Sequence, residues 1–287
     1  MAVEALRASA APRTARNRWW RRCDPLWLAT PGILFLVVFL LAPTAGLMSL
    51  SFIDAESGAL SLMHYLRAFQ VDLYVRVLGM TFSVAAQNTL LCLLLGYPVA
   101  YWLARLPPRR MRLLILLVML PFWTSALVKN FTWLVLLARN GMVAEIMTAL
   151  GATPPVELLY SRATVLAGMT HTMLPLAILT MLPVMVQIDA RLPSAAMTLG
   201  ASRAHAFWRV FFQLSMPGVA AAGLVVFIGS LGFFITPALL GGPRAMMLGQ
   251  LIIEQIQQLL DWGFAGALAM MLVLSSVVVC VIYDRLF

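Results

Sequence analysis

Six apolar runs, each long enough to cross a bilayer as a helix, dominate the sequence and leave few alternatives for its fold. A hydrocarbon core of about 30 Å requires roughly 20 residues at about 1.5 Å of rise each. The runs lie near residues 31 to 52, 82 to 105, 112 to 138, 163 to 187, 218 to 240 and 262 to 284. A helix satisfies its own backbone in lipid, so the pattern predicts an all-α membrane protein with six transmembrane helices. Composition agrees, with 62% apolar and 11% charged residues and a mean hydropathy of +0.92. No water-soluble core accounts for that balance. Pro43, Pro98, Pro121, Pro175 and Pro237 fall inside the runs. Membrane helices tolerate proline, and these positions are expected to mark kinks.

The net charge of +9 would suggest nucleic acid in a soluble domain. Here the arginines occupy short gaps between apolar runs, where lipid and the cytoplasm are the surroundings, and nucleic-acid binding is excluded. Arg7, Arg13, Arg16, Arg18, Arg21 and Arg22 precede the first run. Arg105, Arg109, Arg110 and Arg112 follow the second, Arg191, Arg203 and Arg209 follow the fourth, and Arg285 closes the chain. The other side has only Arg67, Arg76, Arg139, Arg162 and Arg244. The asymmetry predicts cytoplasmic termini at both ends of a multi-pass membrane protein. Residues 1–30 read as a cytoplasmic N-terminal arm, disordered at first and anchored at the interface by Trp19, Trp20 and Trp27. The first run is longer than a signal-peptide core, which favours an uncleaved helix over a secretory signal.

No catalytic constellation is present. The lone lysine, Lys129, follows "PFWTSALV" with no glycine, so the chain has no phosphate-binding GxxxxGK loop and does not hydrolyse ATP by itself. His64, His171 and His205 are scattered, and Cys23, Cys92 and Cys280 lack metal-ligand or disulfide spacing, so no metal is expected. Nor do paired carboxylates occur within an apolar run, as a proton relay would require.

Against that background stands a polar insert, "SAAMTLGASRAHAFWRVFFQLSMPG", in the loop of about 189–217 and just beyond. Pro193 and Ser194 are placed to start a short helix, Gly200 to turn the chain and Ser202 to cap a second helix. In that second helix Phe207, Val210, Phe211 and Leu214 share an apolar face, and Met216, Pro217 and Gly218 are expected to end it before the fifth span. An interfacial amphipathic connector would show the same periodicity. The small residues Ala195, Ala196, Gly200 and Ala201 favour a surface that another backbone approaches closely.

The insert resembles the cytoplasmic EAA loop of the permease subunits of binding-protein-dependent ABC importers. The matches are Ala195, Ala196, Gly200, Ala201, Pro217 and Gly218, with Ser194 where the family usually has Glu. "LLGYPVAYWLAR", "LPFWTSALVKNFTWLVLL" and "FITPALLGGPRAMMLGQLI" extend the resemblance to spermidine/putrescine-type permeases over roughly residues 30 to 285. It implies a type I ABC importer permease fold for residues 31–287. It also implies a cytoplasmic ABC ATPase dimer that binds the ATP, a second six-span permease and a periplasmic solute-binding protein as partners, with no cofactor on this chain. Ser194, Ala195, Ala196, Leu199, Gly200, Ala201, Phe207, Pro217 and Gly218 would couple to the ATPase.

The translocation path is expected among polar and aromatic groups near mid-membrane. Counted from Arg112, Trp123, Thr124 and Ser125 fall roughly 16 to 20 Å up a continuous third span. Gly229, Ser230 and Gly232 of the fifth span, and Thr170, His171 and Thr172 of the fourth, fall at a similar depth. Lys129 and Asn130 come nearer the outer surface, where a lysine can snorkel. Phe233 and Thr236 complete the set. By resemblance the cargo is a small organic solute, a polyamine or a relative, although Phe233 stands where related permeases have an acidic residue. A secondary transporter or membrane scaffold would also have six spans, but the inverted repeats and intramembrane carboxylates of such carriers are missing.

Overall fold

The computed structural model describes residues 25–53, 58–151, 159–242 and 245–286. Residues 1–24 of the N-terminal arm, with Trp19, Trp20 and Cys23, and also Arg244 and the side chain of Trp27, lie outside the described residues, whereas residues 25–30 of that arm are already helical. The described residues are helical apart from one isolated bridge, Ile53 with Leu60.

Residues up to Ser49 form a unit of their own. It runs as α1 (Pro25–Leu36), a π turn (Val37–Leu41) and α2 (Ala42–Leu50). Pro43 sits just after the widened turn. A proline lacks the N–H of the regular ladder and its ring crowds the preceding turn, and a π turn makes room for both.

The second unit contains α3 (Met63–Gln70), α4 (Asp72–Ala104), α5 (Pro108–Trp123), α6 (Ala126–Leu136), α7 (Met142–Ala149) and α8 (Arg162–Gln187). It continues with α9 (Arg191–Thr198), α10 (Arg203–Ala206), a π turn (Phe207–Phe211), α11 (Phe212–Leu231), α12 (Ile235–Leu240), α13 (Leu248–Gln257) and α14 (Trp262–Leu286). Among the described residues five helices are long and apolar enough to span, and α5 with α6, bent by 84°, makes a sixth if the pair is taken as one broken span.

The long helices α4, α8 and α11 form the centre. Small residues set their spacing: a Cβ on Gly218 of α11 would lie 2.9 Å from Val184 Cβ of α8. Lipid gives no hydrophobic drive between spans, so such close approach and interhelical hydrogen bonds hold them. Asn88 supplies the bonds. Its Nδ2 donates to Ser230 Oγ at 2.8 Å, and its Oδ1 accepts from Thr170 Oγ1 at 2.8 Å. All three side chains are buried, which ties α4, α8 and α11 at one level and bears out the shared depth of Thr170 and Ser230. Each such bond in a membrane contributes about 0.6 to 2 kcal/mol. At the other end of α4, α3 and α13 pack on α14 around Phe264, with Arg67 bonded to Asp261 at 2.9 Å and lying over the Phe264 ring.

The first, fourth and sixth spans match the sequence reading to within a few residues, and the second, third and fifth depart from it for physical reasons. The helix of the second span begins at Asp72, ten residues before the apolar run, because buried Tyr74, Val77 and Thr81 give its first turns a packed face despite Asp72 and Arg76. The third span is not continuous. It breaks after Pro121 at Thr124 and Ser125, both extended, and α6 sets off in a new direction. The fifth span starts at Arg203, not at 218, since α10, the π turn and α11 form one rod with Pro217 inside it. It ends at Leu231, and Phe233 lies between it and the short helix α12. Pro98, Pro175 and Pro217 leave their helices unbroken.

Candidate functional site

Two neighbourhoods hold the residues singled out by the sequence. The first is the polar insert. Asp189 Oδ1 accepts from Arg191 N at 2.8 Å, so α9 starts at Arg191, three residues ahead of the expected start. Ser194 is therefore inside the helix and not at its cap, and its Oγ donates back to the Ala190 carbonyl at 3.0 Å. At the other end the N–H of Ala201 reaches Ala196 O at 3.0 Å and the N–H of Gly200 reaches Met197 O at 3.1 Å. This is a Schellman turn, and Gly200 takes its left-handed position with φ of +92°. Ser202 caps α10, its Oγ accepting from His205 N at 3.2 Å. The expected helix, turn and second cap are all present.

The second helix carries a shifted face. Ala206, Phe211, Ser215, Gly218, Ala222 and Val226 are buried, whereas Leu214 is exposed. The step of five residues from Ala206 to Phe211 is the π turn, which rotates the later positions by one. Phe207 and Phe211 lean on the C-terminal end of α4. Tyr101 meets Phe207 and Phe211 edge-on at 5.2 and 4.8 Å, and Arg105 lies 4.0 Å over the Tyr101 ring. One turn along, Tyr97 reaches Ser215 by a 3.0 Å hydroxyl bond. Sequence reasoning missed this clamp, although Tyr97, Tyr101 and Arg105 recur at a helical interval of four. α9 leaves the apolar Leu192 and Met197 exposed beside the polar Arg191, Ser194 and Thr198, and Leu199, its C-cap, is 89% exposed.

The second neighbourhood lies where α6, α8 and α12 meet. A Cβ on Gly168 of α8 would stand 2.9 Å from Thr236 Cγ2 and 2.8 Å from Leu240 of α12. Thr236 is buried, and Phe233, Trp133, Leu134 and Leu166 each pack against the buried cluster of Val84, Val165, Met169 and Leu240. Trp133 Nε1 donates to His171 Nδ1 at 3.3 Å, and both rings line a groove of about 590 Å³ between α4 and α8 with Thr170, Leu91 and Leu95. Lys129, one turn before Trp133, is 7% exposed and makes no ion pair among the described residues. It is buried and not snorkelling at a surface. Asn130 is buried too, its Nδ2 bonded to Ala126 O.

Lys129, His171 and Thr236 sit on packed helices, with Phe233 in the link between α11 and α12, but Trp123, Thr124 and Ser125 do not join them. They occupy the break, with Trp123 81% exposed and Thr124 Oγ1 bonded back to Leu120 O. Their expected depth on a straight third helix does not hold, because the chain turns there. Among the described residues no cluster of His, Cys, Asp and Glu could hold a metal.

No family model matches the chain. It is 30% identical over 257 residues to the spermidine/putrescine transport system permease protein PotB of Escherichia coli (strain K12), covering 88% of this chain and 93% of that one. It is also 30% identical over 264 residues to PotB of Haemophilus influenzae, covering 89% and 92%. The molybdenum transport system permease protein ModB of Mycobacterium tuberculosis is 31% identical over 198 residues, 69% of this chain and 74% of its own. Among solved structures, a bacterial alginate ABC transporter in complex with alginate pentasaccharide-bound periplasmic protein includes a chain that superposes with a TM-score of 0.74 at 18% identity. The match covers 94% of this chain and 96% of that one.

Proposed function

The chain belongs to the permease subunits of binding-protein-dependent ABC importers, and from that premise we propose that it forms one half of a solute path driven through α9. It is a multi-pass inner-membrane protein, and ATP hydrolysis is not its own chemistry. The path half carries a small organic solute, a polyamine or a related compound, delivered by a periplasmic binding protein. A second six-span permease supplies the other half. A cytoplasmic ATPase dimer binds the ATP and receives α9.

The observation that carries this reading is the contrast within the insert. Leu192 and Met197 of α9 and Leu199 at its end are exposed, while Phe207 and Phe211 are clamped to α4. Large apolar side chains exposed together on a fixed mount suit a socket in a partner better than open solvent. Closure of the ATPase dimer would then move α9, α4 and α11 together as a rigid body between two states. Co-expressed with an ATPase, a second permease and a secreted binding protein encoded beside it, the chain should co-purify with the first two. Solute-loaded binding protein should stimulate ATP hydrolysis, with putrescine and spermidine tested first. A chain that never recruits an ATPase would defeat the reading.

The orientation rests on the arginine distribution, which places both termini and the insert in the cytoplasm. Reporter fusions near residues 108 and 205 should score cytoplasmic and those near 65, 150 and 250 periplasmic. A cytoplasmic score at 150 would put α9 on the wrong side for an ATPase.

A further inference from the structure

We propose that the outer end of the crevice between α4 and α8 is a docking site for a carboxylate side chain of the periplasmic binding protein, gripped by Arg76 and Arg162. The proposal rests on the reading above that such a protein delivers the solute. A groove of about 510 Å³ opens there, lined by Leu73, Arg76, Met80, Ser83, Arg162 and Met246. Arg162 is the first residue of α8, and its Nη2 donates to Ser83 Oγ on α4. Its Nε is buried and has no hydrogen-bond partner. An unpaired guanidinium N–H withdrawn from water is costly, and a second acceptor in the groove removes that cost.

Arg76 adds the second charge. It is exposed and free of ion pairs, since the one ion pair among the described residues joins Arg67 to Asp261. Among the described residues no Asp or Glu lines the groove. Two guanidinium groups lining one groove are matched by a carboxylate, because their planar N–H groups fit its two oxygens.

Position selects the source of that carboxylate. Residues 72 to 81 of α4 precede its apolar run and Arg162 begins α8, so the groove sits at the outer end of both helices. A phospholipid phosphate has the same chemistry but suits the site less well. Gln87, one turn below Ser83 on the same side of α4, is exposed, and farther along α4 and α8 a separate groove is lined in part by Thr170, His171 and Trp133. Exposed polar groups at bilayer depth mark a side turned towards a cavity or another subunit rather than acyl chains.

The test measures docking of solute-loaded binding protein to the assembled complex, at low and at physiological salt, for wild type, Arg76→Gln, Arg76→Glu and Arg162→Gln. Arg76→Gln should weaken docking by about tenfold and Arg76→Glu by more, and both should flatten the salt dependence while the complex assembles in normal yield. Arg162→Gln should do the same. If losing the Ser83 bond unfolds it, the two Arg76 variants still decide the matter. Unchanged affinity in the Arg76 variants overturns the proposal. So does normal docking with reduced uptake, which would give the groove to the solute, or a defect confined to membranes with anionic phospholipid, which would give it to a headgroup. Failure of the wild-type complex to bind any such protein would instead overturn the proposed function.

Discussion

Gly200→Val should leave the chain inserted in the membrane and lower solute uptake by about tenfold, with a parallel loss of ATPase co-purification. The reason is conformational. Gly200 has φ of +92° at the turn between α9 and α10, and an added Cβ would meet nothing within 4 Å in this chain. Space is therefore not the constraint within the subunit. A β-branched residue in the left-handed region costs on the order of 1 to 3 kcal/mol, enough to reduce the population holding the Schellman turn by roughly 5- to 100-fold. Once the bonds from Gly200 N to Met197 O and from Ala201 N to Ala196 O are lost, α9 no longer presents Leu199 at a fixed angle. Gly200→Asn is the control, since asparagine enters the left-handed region more readily, and it should retain most uptake. Normal uptake and normal recruitment in the valine variant would show that α9 is not the coupling element.

That turn was legible in the sequence because Gly200 closes a short helical stretch just ahead of the capping Ser202, where a left-handed residue ends one helix and a hydroxyl starts the next. The same holds for the fourth and sixth spans, where apolar runs and helices coincide. Legibility failed where burial and hydropathy part company. The first turns of α4 look polar through Asp72 and Arg76, yet Tyr74, Val77 and Thr81 pack inward. Leu214 was misassigned to the apolar face because a π turn adds one residue to the count, and no composition signal announces it. The break at Thr124 and Ser125 follows a proline, but Pro98 and Pro175 sit in helices that continue, so proline alone does not distinguish the two outcomes. Asn88 and Arg162 escaped notice for a different reason. Their importance lies in partners some 80 to 140 residues away, Thr170 and Ser230 for one and Ser83 for the other.

Tyr101→Ala should separate ATP hydrolysis from transport. Tyr101 is the centre of the clamp, with Phe207 and Phe211 against its ring and Arg105 over its face. Each aromatic pair contributes about 0.5 to 1.5 kcal/mol beyond burial, and an exposed cation over a ring about 0.5 to 1 kcal/mol. Their loss comes to roughly 1.5 to 4 kcal/mol, concentrated where the insert meets the end of α4, with the Tyr97 to Ser215 bond one turn away left in place. The core is fastened independently, by Asn88 and by the contact of Gly218 with Val184, so the subunit should still insert and assemble. α9 itself is untouched, so the ATPase should still bind and turn over. Its motion would reach α4 weakly, and uptake per ATP hydrolysed should fall at least several-fold. Tyr101→Phe keeps the ring and should behave nearly as wild type. Phe207→Ala should resemble Tyr101→Ala, and the double variant should lose less than the sum of the two, because both remove the same contact. Uptake and hydrolysis falling together, in proportion to the amount of complex recovered, would mean that the clamp only stabilises the fold and does not transmit the stroke.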